Sequence, residues 1–138
     1  LFRSDVYKLE YPNVNTAVGI SGPAFPMNAS DRLWAKYKLG ERSKIIDPMT
    51  KQPAVRNIFY DDGSPTSVKA LQARGTIFWQ CNVALGAVAG QLAAAAQRPV
   101  DEVRAELVAN LNPGVHLMPS HVLALALAQE RGFTYMRP

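Results

Sequence analysis

The stretch that decides the fold is residues 76–90, TIFWQCNVALGAVAG, where a run of strand-forming residues changes abruptly into a run of small, helix-forming residues. Residues 76–80 are rich in β-branched and aromatic side chains, which predicts a strand. Residues 82–97 are mostly alanine, leucine, valine and glycine. They predict a helix whose small side chains suit close packing on a sheet, and the spacing of Gly86 and Gly90 predicts tight helix–sheet or helix–helix packing. Cys81, the only cysteine of the chain, lies at the junction. Its thiol is either placed for chemistry or buried as a small apolar group.

The alternation of strand and helix continues on both sides of this junction. Upstream, residues 15–22 predict a buried strand, two prolines keep the following stretch irregular, and residues 31–39 predict a helix. Downstream, residues 100–110 predict a helix, residues 115–118 a short strand and residues 121–131 a further helix. Strands alternating with helices predict an α/β fold, a three-layer sandwich with a mostly parallel sheet.

Three further segments give weaker signals. Residues 6–11 and 133–136 predict strands, and a short helix is expected between Ser64 and Gly75. Residues 41–63 have little periodicity and predict a long loop, which in a small domain tends to be functional or mobile. The 138 residues predict a single domain. Because few strands are evident for a complete doubly wound fold, we expect an N-terminal strand and helix to be absent from residues 1–138.

Charge and motif content narrow the function classes. The net charge is +4, but the basic residues are interspersed with acids and form no stripe with aromatic platforms, so nucleic-acid binding is not predicted. No apolar run approaches the ~20 residues that span a bilayer, so no transmembrane segment is predicted. A single cysteine excludes an internal disulfide and multi-cysteine metal motifs. The sequence has no phosphate-binding or dinucleotide-binding glycine motif, and neither a cofactor nor a metal is predicted.

The candidate site follows from the position of Cys81 after its strand. Ligands of open α/β sheets bind at the carboxyl ends of the strands, beside the helices that follow. A helix N-terminus favours a thiolate there. If the strand at 115–118 is a parallel neighbour, Ser120 and His121 lie at the same edge, and Asn28 and Asn82 could join them. Cys81 and His121 are then catalytic candidates, and Ser120, Asn28 and Asn82 are candidate substrate-binding groups. The alternative is a core cysteine, since free cysteines are commonly buried.

Two segments resemble the DsrE/DsrF-like sulfur-relay family: ALQARGTIFWQCNVAL at residues 70–85 and LNPGVHLMPSHVLALALAQERGFTYM at residues 111–136. The family pattern is a strand ending in cysteine, then L-x-P-G-V with a strand and a final helix. The segments LWAKYKLGE and DPMTKQPAVRN look like an exported branch that often carries a twin-arginine signal. The resemblance implies a three-layer α/β fold, a homo-oligomer and a periplasmic or otherwise exported location. Cys81 matches the position that carries persulfide sulfur in the sulfur-trafficking branch.

Three functions remain open at this point, the third of which is a small-molecule binder that uses the edge of the sheet. The first is a thiol-based sulfur carrier, in which Cys81 accepts and passes on sulfane sulfur. The second is a non-catalytic binding or assembly subunit of a larger exported or membrane-associated complex, which would make protein contacts through its apolar helices. Whether the protein is an enzyme is left open. An accessible thiol with a lowered pKa favours the first function, and a buried, inert thiol favours the second.

Overall fold

The structure is a computed structural model that describes residues 15–135. The strands are β1 (Ala17–Ile20), β2 (Ile77–Cys81) and β3 (Val115–Met118), and the helices are α1 (Asp31–Tyr37), α2 (Leu39–Arg42), α3 (Val68–Ala73), α4 (Asn82–Ala96), α5 (Val100–Ala109) and α6 (His121–Glu130). A 3-10 helix covers Gly22–Asn28 between β1 and α1.

Within these residues the sheet is entirely parallel, with β2 between β1 and β3. Parallel neighbours need crossover connections, which are supplied here by the helices between successive strands. Gly19 of β1 lies opposite Trp79 of β2, and Cys81 lies opposite Met118 of β3. The register therefore places the end of β3 beside the cysteine.

The two faces of β2 contact different helices. Gln80 is fully buried and accepts a hydrogen bond from Asn28 of the 3-10 helix. Trp79 points to the other face, because side chains alternate along a strand, and its indole contacts His121 of α6. Helices thus pack on both faces of a parallel sheet. The predicted fold class, an α/β sandwich, is confirmed.

The main core lies among the 3-10 helix, α1, α4 and α5. Its fully buried side chains of largest volume include Phe25, Leu33, Trp34, Leu85, Val103 and Leu107. α4 and α5 are the most extensively contacting pair of helices. By contrast, α6 buries only Ala124, although it is apolar on most of its surface. One side of the sheet therefore carries the core, and the other is covered thinly by α6.

The expected loop at residues 41–63 is anchored to the core through Asn57. Its buried side-chain amide donates to the carbonyl oxygens of Pro26, Met27 and Ala29, and its Oδ1 accepts from two backbone amides of the loop itself. Gly40 of α2 contacts the Ala54 backbone so closely that a Cβ there would overlap the carbonyl group. The loop is thus an irregular but packed part of the domain.

Several sequence predictions need correction. Residues 22–28 form a 3-10 helix rather than irregular chain, since proline, with its fixed φ, fits the first turn of a helix. Residues 133–135 are not a strand, and the expected strand at 6–11 lies outside the described residues. Gly86 and Gly90 are not tight contacts, because a Cβ added to either would meet nothing within 4 Å in the described chain.

An ion cluster around Glu106 joins α1 to α5. The carboxylate accepts hydrogen bonds from Lys36, from Arg98 at 2.8 Å and from the Tyr37 hydroxyl at 2.8 Å. The hydrogen bond from Lys36 contributes most to lowering the pKa of Glu106, followed by that from Arg98; burial opposes them, and the pKa falls to about 2. Burial of the Tyr37 hydroxyl raises the pKa of Tyr37, and its hydrogen bond to the negatively charged Glu106 carboxylate raises this pKa further.

This cluster predicts an acid-sensitive contribution to stability. Because the folded pKa of Glu106 lies below its ordinary value of 4.5, the contribution is present above that value and is lost as the pH falls from 4.5 to about 2. We expect Glu106→Gln to lower the free energy of unfolding at neutral pH by about 1–2 kcal/mol, after allowance for solvent screening. Urea unfolding of the wild type and of Glu106→Gln at a series of pH values measures this difference in the free energy of unfolding.

Glu102→Gln is the matched control, because the Glu102 side chain is 61% exposed and contacts Arg98 only at 3.5 Å. We expect this variant to lose less than about 0.5 kcal/mol. A pH-independent difference between wild type and Glu106→Gln would contradict the assignment, since it would mean that the charge of Glu106 contributes nothing.

Candidate functional site

Two helices begin side by side at the carboxyl edge of the sheet. Cys81 is the last residue of β2 and directly precedes α4. β3 ends opposite it at Met118, and α6 begins at His121. The parallel pairing of these strands, on which the predicted site depends, is therefore present. The N-termini of α4 and α6 consequently lie together at the position where α/β proteins bind ligands.

The Cys81 sulfur accepts a hydrogen bond from the first turn of each helix. The backbone amide of Ala84 in α4 lies 3.5 Å from Sγ, and that of His121 in α6 lies 3.4 Å from it. Amides in the first turn of a helix lack intrahelical partners and carry the positive end of the helix dipole. A thiolate at Cys81 is thus stabilised from two helices at once.

Burial and hydrogen bonding act on this thiol in opposite directions. Cys81 is 5% exposed, and burial, the largest single influence, works to raise its pKa. The backbone amides of Ala84, His121 and Val83 lower it. A hydrogen bond with the Ser21 side chain lowers it further. Together the hydrogen bonds outweigh burial, and the pKa of Cys81 lies below the ordinary thiol value.

The His121 imidazole is bonded to Trp79. The indole Nε1–H donates to His121 Nδ1 at 3.1 Å, and the two rings are tilted at 57° with centroids 6.3 Å apart. Because Nδ1 accepts this bond, the neutral imidazole carries its proton on Nε2. His121 therefore reaches the sulfur through its backbone amide, whereas its side chain is oriented by Trp79.

Gly19 of β1 makes room for this pair. A Cβ at Gly19 would overlap both the His121 imidazole and the Trp79 indole. Only a residue without a side chain at position 19 allows the His121 imidazole and the Trp79 indole to pack against β1 on this face of the sheet. Gly19 is thus a positional requirement for the orientation of His121.

The other predicted site residues have different surroundings. Ser120 is the residue before α6, half-buried, and its hydroxyl makes no capping bond. The Asn82 side chain accepts a hydrogen bond from Arg104 of α5 at 2.6 Å, so it is engaged between helices. Asn28 is fully buried and donates to the Trp79 carbonyl and to Gln80. Its hydrogen bonds lie along β2, with Gln80 on the face opposite Cys81.

Sequence reasoning missed three contributors to this site: Ser21, Trp79 and Gly19. Gly19 and Ser21 both lie within residues 15–22, for which the sequence predicts a strand, so their place near the carboxyl edge of the sheet could have been inferred. Trp79 lies two positions before Cys81 and shares its face by the alternation of strand side chains. Its bond to His121 had no signal in the sequence.

Within residues 15–135, no group of three or more histidine, cysteine, aspartate or glutamate residues is arranged to hold a metal ion. Nor does any helix of the described chain have the length and apolar character to cross a membrane.

The fold and the site together define a class: a parallel α/β protein with a thiol held at the start of two helices. No family model matches the chain, and no match was found among curated proteins or among solved structures.

Proposed function

We propose that the protein is a thiol-based sulfur carrier in which Cys81 accepts a sulfane sulfur and passes it on. The observation that carries the proposal is the pair of amide hydrogen bonds to Sγ from the first turns of α4 and α6. A core cysteine needs no such donors, whereas a thiolate or a persulfide anion does. The resemblance of residues 70–85 and 111–136 to DsrE/DsrF-like proteins supports the same function.

The proposed transfer balances without an external oxidant. The Cys81 thiolate attacks a sulfane sulfur of a polysulfide or persulfide donor, and a new S–S bond forms at Sγ. The S–S bond of the donor breaks, and the shortened donor leaves as a thiolate or hydrosulfide. Delivery is the reverse exchange, in which an acceptor thiolate attacks the outer sulfur. Within this scheme the helix amides stabilise the anionic sulfur before and after the transfer.

The first test is the pH dependence of alkylation of native Cys81 by iodoacetamide, followed by intact mass. Because the hydrogen bonds lower the thiol pKa, the rate should reach its midpoint at a lower pH than for the same chain unfolded in urea. Ser21→Ala removes one of these hydrogen bonds and is expected to move the midpoint upward. Equal midpoints for the native and unfolded chain would remove the basis of the carrier function.

A second function, a non-catalytic binding or assembly subunit, is supported by the surface around the sulfur. Val83 in the first turn of α4 is 70% exposed, and Val122 and Leu123 in the first turn of α6 are 75% and 53% exposed. Apolar side chains grouped at an open edge are typical of protein contacts. The predicted homo-oligomer or larger complex would use them. A thiol that resists alkylation until the chain unfolds would favour this function instead.

A further inference from the structure

A second concave site lies on the core side of the molecule, among the 3-10 helix, α2, the chain that follows α2, and α4. It is a cavity of about 800 Å³, within the size range of small-molecule sites. Cys81 does not line it. Most of its wall is apolar, and the larger apolar side chains include Phe25, Leu39, Ile45, Phe59, Val88 and Leu92.

The cavity wall carries one charged side chain, Arg42, the last residue of α2. In the chain that the structure describes, the Arg42 guanidinium has no ion pair and no side-chain hydrogen bond. Arg42 is exposed to solvent. The remaining polar side chains of the wall, Ser43 and Gln91, are uncharged. The Arg42 guanidinium therefore supplies a positive charge, with N–H groups that have no partner in the described chain, beside an apolar surface.

Arg42 lies in a segment with a small excess of positive charge. Residues 38–47 carry three cationic side chains, Lys38, Arg42 and Lys44, and two carboxylates, Glu41 and Asp47. A net positive charge favours the approach of an anion over that of a cation. A neutral apolar ligand gains nothing from it.

We propose that this cavity binds a small amphiphilic carboxylate, with its hydrocarbon portion against Phe25, Val88 and Leu92 and its carboxylate on Arg42. A guanidinium presents paired N–H donors that match the two oxygens of a carboxylate. The apolar wall removes the hydrocarbon from water. Cys81 does not line the cavity, although Ala84 of its wall donates to the sulfur, and the proposal does not depend on the sulfur-carrier function.

The test is a titration of the ¹⁵N-labelled protein with decanoate, alongside calorimetry, with 1-decanol as a neutral ligand of the same chain length. We expect decanoate to shift the backbone amide signals of Ala87, Val88 and Gln91, which line the cavity along α4. Decanoate should bind about tenfold more tightly than decanol, because a charge-assisted pair is added. Shifts confined to other parts of the chain, or equal affinity for both ligands, would overturn the proposal.

Four variants test the roles of the guanidinium, the cavity and the thiol. Arg42→Gln should reduce the affinity for decanoate to that for decanol, whereas Lys44→Gln, which removes a neighbouring cation outside the cavity wall, should change it less than about twofold. Ala87→Phe should fill the opening and weaken both ligands. Unchanged decanoate binding by folded Arg42→Gln would overturn the role of the guanidinium, whatever the outcome for Ala87→Phe. Cys81→Ser should bind decanoate as the wild type does, which separates this proposal from the sulfur-carrier function.

Discussion

Replacement of Cys81 by serine is expected to abolish the gain of one sulfur atom that polysulfide treatment should produce in the wild-type protein. Serine has nearly the same size and is itself a favourable residue at the start of a helix. The fold, including α4, should therefore remain, and only the nucleophile is lost. Intact mass before and after treatment, with reversal by a dithiol, measures the change. A sulfur gain that persists in Cys81→Ser would place the reaction on another group and contradict the proposal.

His121→Ala separates the two ways in which His121 could contribute. The hydrogen bond to Sγ comes from the backbone amide, which alanine keeps, whereas the imidazole and its bond to Trp79 are lost. If the helix amides are what stabilise the sulfur anion, sulfur loading should remain close to the wild-type rate. A loss of tenfold or more, with the fold intact, would instead assign proton transfer to the imidazole.

The second large effect is expected in the core. Trp34 is fully buried, its indole donates to the Pro26 carbonyl at 2.9 Å, and its ring is 6.2 Å from that of Phe59. Trp34→Ala removes the largest fully buried side chain of the described residues and leaves a cavity. The Pro26 carbonyl also loses one of its three donors, and the Asn57 side chain and the Ala29 amide remain bonded to it. We expect the free energy of unfolding to fall by about 3–5 kcal/mol, measured by urea unfolding.

Trp34→Phe is the matched variant, since it keeps an aromatic ring but loses the indole N–H. Its expected loss is about 1–2 kcal/mol, from one net hydrogen bond and a slightly smaller ring, clearly below that of Trp34→Ala. The comparison separates the packing contribution from the hydrogen bond. A loss below about 1 kcal/mol for Trp34→Ala would mean that the 3-10 helix and α1 do not form the central core.

Local sequence signals predicted most elements because each depends on near neighbours. The β-branched and aromatic run before Cys81 and the small residues after it locate β2 and α4 almost to the residue. The predictions that were wrong concern features that depend on contacts with distant parts of the chain. The strand expected at 133–136 is not formed over the described residues 133–135, since its local propensity finds no partner strand there. The space next to Gly86 and Gly90 could not be predicted either, because it depends on which elements pack against α4.

The candidate site shows the same division. The placement of Cys81 between a strand and a helix, and of His121 at the start of another helix, follows from the order of residues alone. The hydrogen bonding of Asn28, on the face of β2 opposite Cys81, does not follow from the order of residues. Its side chain is drawn to Gln80 on the other face of β2, and nothing local distinguishes a buried structural asparagine from a ligand-binding one.

By itself, the sequence determined an α/β chain with one thiol at a strand-to-helix junction, because strand period, helix period and turn residues are local properties. Only the tertiary structure decided that β3 lies beside β2, so that the amide of His121 reaches a sulfur forty residues away in the chain. It also decided that Trp79 binds the imidazole above Gly19, and that Arg42 stands free beside an apolar cavity. These are contacts between segments distant in sequence, and they form only when burial of the shared core brings those segments together.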